Sequence, residues 1–527
     1  METVQKNRFE LHPMPVGTEA LEKEVLKLRD LLNRTIENVS LDTAQYLATI
    51  SNLRKMIFAS KAEATKYIQR SFFDEAEVLA ASLPSSTVFL DLPKDDETTT
   101  VPAHERKKPK RKPFPDHLKR VEIVHDLQES EKICPNDGHA LHEIGREVLE
   151  EVEFIPAQIN ISRHVTIKYA CRACEECVVK AKLPERIIPK SFASPSLLAH
   201  IAVAKYQDAL PLYRQEKIFG RHQIDLSRTT MAEWMIKVGT ALQPLVNQFY
   251  EDILESPVIH CDETPVQVLE INGKPSTKTS YMWVVGRWGP DKNIVCFDFA
   301  PSRSGQTASK LLAGYQGYLQ VDGYGGYNEL VRSEPLITRV GCMAHVRRKF
   351  VSYLDTIPKD ARSTHWVFHL IRTVGKLYAE EALIRSHSND DRKAARLIKC
   401  KPILELLKKE IDHHTPLVAP ASVLGKAVAY AVNEWTNIEH YLEHGQCEVD
   451  NNKIENAIRP FAIGRKNWLF SDSERGAVAS ANIYTVIETA KANGKNPEHY
   501  LRKIFENVEK LKTADGIQSL LPYNTNT

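Results

Sequence analysis

No apolar run in the 527-residue chain is long enough to cross a bilayer. Its first residues, METVQKNRFE, lack the apolar core of a signal peptide. Net charge is nearly absent as well: 70 Lys and Arg stand against 68 Asp and Glu, a formal +2. A basic field over the whole molecule is thereby excluded, and affinity for nucleic acid has to come from local basic patches. Cysteine is sparse and badly arranged for a disulfide framework. The nine are an odd number, and Cys261, Cys296, Cys342, Cys400 and Cys447 lie scattered, which suits a reducing compartment. These absences predict a cytoplasmic protein with no membrane partner. The length exceeds what one hydrophobic core serves, so three or more domains are expected.

What is present is organised around Ser256 to Gln267, SPVIHCDETPVQ. A β-branched run (Val258, Ile259) ends on Asp262 and Glu263 and is then stopped by Pro265, which reads as a buried strand delivering an acid to a sheet edge. An unpaired charge beside a core costs on the order of several kcal/mol unless a cation or donor meets it. The plainer alternative is a solvated acid at a strand end. Strands are expected over Tyr281–Arg287 and Ile294–Ala300 around the turn GPDKN, then a helix over Ser304–Gly314. Gly317–Asp322 reads as a strand that again ends on an acid, and Leu336–Val340 leads into CMAHVRRKF. The order is β-β-β-α-β-α-β, with Asp262 and Asp322 each closing a strand.

Residues 19 to 70 read as helical. Leu21, Val25, Leu28 and Leu32 follow 4-3-4 spacing, and Tyr46, Ile50, Leu53 and Ile57 repeat it, with Thr35 and Asp42 at the seam between. Either a broken coiled coil, implying self-association, or a helical hairpin fits. From Ala103 to Arg120 eight Lys and Arg stand against two acids, among them Lys107, Lys108, Lys110, Arg111 and Lys112. Prolines 93, 102, 109, 113 and 115 make this an extended basic linker, solvated or laid on a phosphate backbone.

Cys134, the pair Cys171 and Cys174, and Cys177 follow, with an alternating segment (Val165, Ile167, Tyr169) that predicts a β-hairpin presenting the two halves. Thiolates at C-x-x-C spacing hold tetrahedral zinc, with Asp137, His139 or Cys177 open as the fourth ligand. Such a site, with no open position, would be structural. Residues 194 to 250 are helical. There LYRQEKIFGRHQIDLSRTT fits a helix-turn-helix with Arg228, Thr229 and Thr230 opening a recognition helix, and it fits a plain helical hairpin equally.

Residues 350 to 445 are almost entirely helix-forming, punctuated by Pro402, Pro416 and Pro420. In EVDNNKIENAIRPFAIGRKNWLF, Asp450 or an adjacent Asn caps a helix that puts Glu455 and Arg459 on one face, and Pro460 ends the run. Glu448, Asp450 and Glu488 compete with Glu455 as chemically useful acids. Glu455 is preferred because its helix runs into Arg459, Arg465 and Lys466, a cluster suited to phosphates. His345, three residues after Cys342 and next to Arg347, Arg348 and Lys349, fits a zinc-ligating, core or phosphate-contacting role. Trp468 fits the core or a base-stacking position.

These motifs, with LRKMIFASKAEA, FFDEAE, HERKKPKRKPFPDHL, ICPNDG with KYACRAC, DETPVQV, VDGYGGYN and GCMAHVRRKF, resemble the transposases of the insertion sequence 66 family along nearly the whole length. The resemblance implies a multidomain α/β protein. Its catalytic core would be RNase H-like, a mixed sheet carrying three acids, Asp262, Asp322 and Glu455. A helical insertion would account for the 133 residues from Asp322 to Glu455, against 60 between the two aspartates. A helical N-terminal region and a small zinc-binding β module complete it. FASKAEA stands where the family tends to have a glycine and a more basic stretch. Asp137 stands where many relatives have a second cysteine, so the zinc set is Cys134, Asp137, Cys171 and Cys174, with His139 and Cys177 as alternates.

The boundaries this implies are 1–91 helical or coiled coil, 92–125 linker, 126–185 zinc module and 186–250 helix-turn-helix region. Residues 251–350 would form the first part of the core, 351–445 the insertion, 446–510 the part bearing the glutamate helix, and 511–527 the tail. Phosphodiester transfer needs an in-line oxygen nucleophile and charge relief, which two Mg²⁺ (or Mn²⁺) ions about 4 Å apart supply. Asp262 would bridge them, with Asp322 and Glu455 completing one each. The implied partners are the element's terminal repeats, target DNA, a second copy or larger assembly, and accessory proteins of the same element. A non-catalytic zinc-containing DNA-binding protein and a structure-selective nuclease on the same fold are the rival readings.

Overall fold

The computed structural model describes residues 159–170, 178–180 and 183–524, which fall in two compact units dividing between Leu183 and Pro184. In the first, β1 (Lys168–Ala170) pairs antiparallel with β2 (Val178–Lys180), Ala170 opposite Val178. The hairpin therefore brackets the segment bearing Cys171, Cys174 and Cys177. Val165 and Ile167, expected within a strand, lie just before it in irregular chain.

The second unit opens with four helices: α1 (Pro195–Tyr206), α2 (Leu212–Arg221), α3 (Arg228–Ala241) and α4 (Gln243–Leu254). Serines start two of them. Ser194 Oγ accepts from the Leu197 N–H and Ser227 Oγ from the Thr230 N–H, each meeting a donor the first turn leaves free. The α2–turn–α3 segment is the helix-turn-helix candidate. Its second helix buries Met231, Trp234, Met235 and Val238 and leaves Arg228 and Thr229 exposed.

The strands are β3 (Val258–Ile271), β4 (Lys274–Pro275), β5 (Thr279–Trp288), β6 (Asn293–Ala300), β7 (Gly317–Gln320) and β8 (Ile337–Val340), with β9 (Ser471–Ser473) far along the chain. The main path runs β6-β5-β3-β7-β8, antiparallel through β6, β5 and β3 and parallel through β3, β7 and β8. Helix α5 (Gly305–Leu311) lies between β6 and β7 in the chain, and α6 (Gly325–Ser333) joins the parallel neighbours β7 and β8, which require a crossover.

One expectation fails here. Pro265 does not end the first strand, which continues to Ile271, and Asp262 sits in its interior. Proline is excluded from a strand only where its missing N–H breaks a ladder. β7 pairs with residues 258–260 and β9 with Val268 and Glu270, so between them β3 has a partner on one side only. Pro265 lies exposed in that gap. What closes at Asp262 is the parallel ladder, not the strand.

Beyond β8 come α7 (Met343–Leu354), α8 (Trp366–Ile384), α9 (Asn389–Ala395), α10 (Lys401–His414) and α11 (Val423–Glu439). They share a second apolar core, built from residues such as Phe350, Leu370, Val374, Leu407 and Trp435. Pro402 is the second residue of α10, which continues directly from a π-helical turn over Arg396–Cys400. At the centre of that core Arg396, fully buried, pairs with Glu381 and donates to the carbonyls of Tyr441, His444, Gly445 and Cys447. It thereby fixes the chain returning towards the sheet.

Helix α12 (Asn452–Trp468) follows, then α13 (Glu474–Ala492), α14 (Pro497–Glu506) and α15 (Ala514–Leu520). Pro460 lies inside α12 and does not end it. Ile454, Ile458, Phe461 and Gly464 are buried on both sides of the proline, and that burial outweighs one missing hydrogen bond. Helix α13 covers the sheet edge. Thr485 and Thr489, both fully buried, accept from the backbone N–H groups of Phe297 and Val295 on β6, so that edge strand offers little to another chain.

Candidate active site

The pleat of β3 sorts its side chains. Val258 belongs to the helical core beyond β8, whereas Ile259 and Cys261 belong to the core on the opposite face. Period-two alternation places Asp262 with Val258 and His260, and Glu263 with Ile259 and Cys261. Glu263 is buried, accepting from the Tyr327 hydroxyl and from Arg303 Nε at 2.5 Å. Its carboxylate is thus committed to an ion pair and an aromatic donor on the far side of the sheet.

Asp262 is half-buried and accepts from the Glu263 N–H at 2.8 Å. Burial holds its carboxyl well above the usual range, reinforced by the charges of Glu263, Glu455 and Asp322. Glu455, in the first turn of α12, is buried, and burial likewise raises its carboxyl. Arg348 opposes that shift; Asp450 and Asp322 add to it. Asp322 follows β7 by two residues, and its Oδ1 accepts from the Tyr324 N–H at 3.0 Å. Three acids separated along the chain are therefore brought within electrostatic reach at the carboxyl end of the β3–β7 ladder. Such like charges call for a cation.

Polar contacts explain how α12 reaches that place. Asn451, buried just before it, donates to the Cys261 carbonyl at 3.0 Å and accepts from His260 Nδ1 at 2.9 Å, and its N–H points to Cys342 Sγ at 3.2 Å. Gln320, fully buried at the end of β7, donates to the Glu448 carbonyl and accepts from the Glu448 N–H. The cap position of α12 falls to Asn451, not Asp450, which stands one residue earlier and accepts from the Asn452 N–H.

The remaining sequence candidates divide. On α7, Arg348 pairs with Glu455 at 3.3 Å, His345 Nδ1 lies 3.6 Å from Glu455 Oε1, and Arg347 is half-buried. Arg459 follows Glu455 by one turn, Arg465 donates to Thr264 Oγ1 at 3.1 Å, and Lys466 is exposed. Trp468 packs edge-on against Phe461 at 5.4 Å, in the core. Glu488 is taken up by Lys491 on α13. Arg228, Thr229 and Thr230 belong to the start of α3, and Thr230 is tied to Ser227. The basic residues Lys107 to Lys112 and the zinc candidates Cys134, Asp137, His139, Cys171, Cys174 and Cys177 lie outside the described residues. Gln320 was missed as a site-builder, and Cys342 was read only as the cysteine three residues before His345. Asn451 carried a signal, standing beside Asp450 at a helix start.

A family model described as "Transposase IS66 family" matches residues 190–479, spanning every strand of the main sheet and all three acids. The chain belongs to the IS66 family of transposases. Further matches cover residues 131–175 (zinc-finger binding domain of transposase IS66), 45–123 (Transposase C of IS166 homeodomain) and 485–523 (IS66 C-terminal element). The second of these four domains supports a structural zinc, and membership supports a DNA-processing enzyme. Among similar proteins is y4jD of Sinorhizobium fredii (strain NBRC 101917 / NGR234), 32% identical over 423 residues, covering 78% of this chain and 81% of that one. Another is y4qI of the same strain, 32% identical over 437 residues, covering 79% and 78%. A third, y4hP, is 28% identical over 478 residues, covering 87% and 85%. All three are described as uncharacterized. No helix among the described residues is long and apolar enough to cross a membrane.

Proposed function

We propose that this IS66 transposase is a metal-dependent polynucleotidyl transferase whose catalytic residues are Asp262, Asp322 and Glu455. The core would be RNase H-like, a reading supported by the strand order β6-β5-β3-β7-β8 with two antiparallel and two parallel pairings. In it the helices from α8 to α11 are the insertion. The observation carrying the proposal is that Asp262, where the parallel ladder closes, lies within reach of the charges of both Asp322 and Glu455. Oxygen donors of this kind fit a hard divalent cation such as Mg²⁺ or Mn²⁺. When bound, two such ions relieve charge on the phosphoryl group and favour an oxygen nucleophile and leaving group in line.

The chain's own residues divide the remaining work. Asp262 from β3, Asp322 after β7 and Glu455 from α12 would hold the cation. Arg459, Arg465 and Lys466 along α12 hold phosphates beside Glu455, and Arg347 and Arg348 hold them from α7. Arg228, Thr229 and Thr230, the basic linker and the zinc module bind terminal repeats. Water is the first nucleophile, and the freed 3′-hydroxyl then attacks target DNA. The active form is a dimer or larger assembly in the cytoplasm, aided by proteins of the same element.

A strand-transfer assay on DNA carrying the element's ends tests this. Asp262→Asn should lose product while retaining retardation of end DNA in a gel. Transfer by Asp262→Asn equal to that of the parent would exclude catalysis at this site and leave a non-catalytic binder. Cleavage of DNA lacking the terminal repeats, as fast as of DNA bearing them, would favour a structure-selective nuclease.

A further inference from the structure

Cys342 and His345 lie beside Glu455, one of the three acids, and one potential ligand atom from each of these three residues falls within 4.8 Å of the others. Cys342 immediately precedes α7, His345 is in its first turn, and Glu455 comes from α12. Two of these atoms have unmet needs. His345 Nδ1 and Glu455 Oε1 are both buried and have no hydrogen-bond partner, though they face one another at 3.6 Å. That separation is long for a hydrogen bond. It is close to the edge of a zinc tetrahedron, about 3.4 Å for nitrogen and oxygen ligands. Glu455 itself is only 5% exposed, so water does not readily substitute for the missing partner.

We propose that Cys342, His345 and Glu455 form a zinc site, separate from the zinc module and sharing Glu455 with the proposed catalytic acids. The donor set is soft at one corner, which selects zinc over magnesium. The thiol is already supported as a ligand, because the Asn451 N–H points at Cys342 Sγ, the kind of donor that stabilises a coordinated thiolate. Zinc entry releases one proton, from the thiol, while the single proton of the neutral His345 ring moves from Nδ1 to Nε2. A water completes four-coordination.

One neighbour must move. Arg348 Nη1 lies 3.3 Å from His345 Nε2, an arrangement in which the ring nitrogen accepts, and Arg348 Nη2 lies 3.3 Å from Glu455 Oε2. With zinc on Nδ1, Nε2 becomes a donor and faces the guanidinium with like polarity. Arg348, whose side chain is 34% exposed, then swings towards solvent. Without zinc the guanidinium supplies the positive charge that the ion would bring. Zinc binding therefore releases an arginine beside the acids, and the arginine competes with zinc.

The site exists or fails independently of catalysis, so the test reads metal. Full-length protein carrying Cys171→Ser and Cys174→Ser, which removes the thiolate pair of the zinc module, is stripped with chelator, loaded with Co²⁺ and desalted. It should retain one ion per chain and show a thiolate-to-cobalt charge-transfer band. Adding Cys342→Ser should abolish the band, and adding His345→Gln should lower retention at least 10-fold, with far-ultraviolet dichroism unchanged in both. Arg348→Ala should raise cobalt affinity. No retained ion in a background protein of native dichroism would overturn the proposal. So would a retained ion indifferent to Cys342→Ser and His345→Gln but lost in Asp262→Asn, since that ion would belong to the acids alone.

Discussion

Asn451 Oδ1 lies 2.9 Å from His260 Nδ1, joining residues 191 apart in the chain and both buried. The Asn451 amide nitrogen donates to the Cys261 carbonyl, so the oxygen accepts and the imidazole donates. This one side chain fastens the start of α12 to β3 between the residues flanking the ladder's end. It fixes where Glu455 stands relative to Asp262.

Removing that fastening should cost both stability and activity. Asn451→Ala leaves a buried carbonyl and a buried imidazole N–H unmet, at about 1–3 kcal/mol each. Urea denaturation should show a loss of roughly 2–4 kcal/mol. Strand transfer should fall further than the unfolded fraction explains, since Glu455 loses its alignment. A fall that merely tracks unfolding would deny Asn451 any positioning role.

His260 also gives a pH dependence. Burial, aided by the charge of Lys453, lowers its pKa from 6.5 to about 4. As pH falls through 6.5 the unfolded chain takes up a proton that the folded chain refuses. Stability from this group is therefore complete above about pH 6.5 and declines as pH approaches 4, by roughly 3 kcal/mol. Denaturation midpoints measured between pH 7 and pH 4.5 should fall less steeply for His260→Gln than for the parent. Parallel slopes would show that the imidazole is not held neutral by the fold.

Arg339 and Glu434 form a buried pair between β8 and α11, 2.5 Å apart, and Arg339 also donates to the Asp322 carbonyl at 2.7 Å. Removing one partner strands the other charge, which costs about 3–5 kcal/mol. Arg339→Met should therefore be severe, and Arg339→Met with Glu434→Leu much milder. Urea midpoints of the single and double variants decide it. Strand transfer should remain impaired in the double variant, because Asp322 still lacks the donor to its carbonyl.

Gly239 on α3 packs against α13 so closely that an added Cβ would lie 2.5 Å from the Cα of Ala479. Alanine would gain about 1 kcal/mol of helix propensity. The collision is with backbone, which cannot rotate aside, and overpacking costs about 1–3 kcal/mol. Gly239→Ala should thus lower the thermal midpoint. A raised midpoint would mean that α3 and α13 sit less tightly than this.

Much of the sheet was legible because apolar alternation and turn residues are local signals. β5, β6, β7 and β8 fall where their patterns place them, to within a few residues. The helices between Met343 and Glu439 were equally plain. The two proline readings failed for one shared reason. Pro265 and Pro460 were judged as local breakers, but a one-sided strand tolerates the first and buried neighbours carry the helix past the second.

The sequence by itself determined the family, the order of elements and the identities of the acids to be weighed, since motifs and periodicity are properties of neighbouring residues. Only the tertiary structure decided that Glu263 faces Arg303 and Tyr327 while Asp262 faces α12, and that Asn451 and Gln320 tie distant segments together. Those outcomes depend on which side of a pleat meets which element, and on buried polar groups finding partners more than 60 residues away. Neither condition is written in any short stretch of the chain.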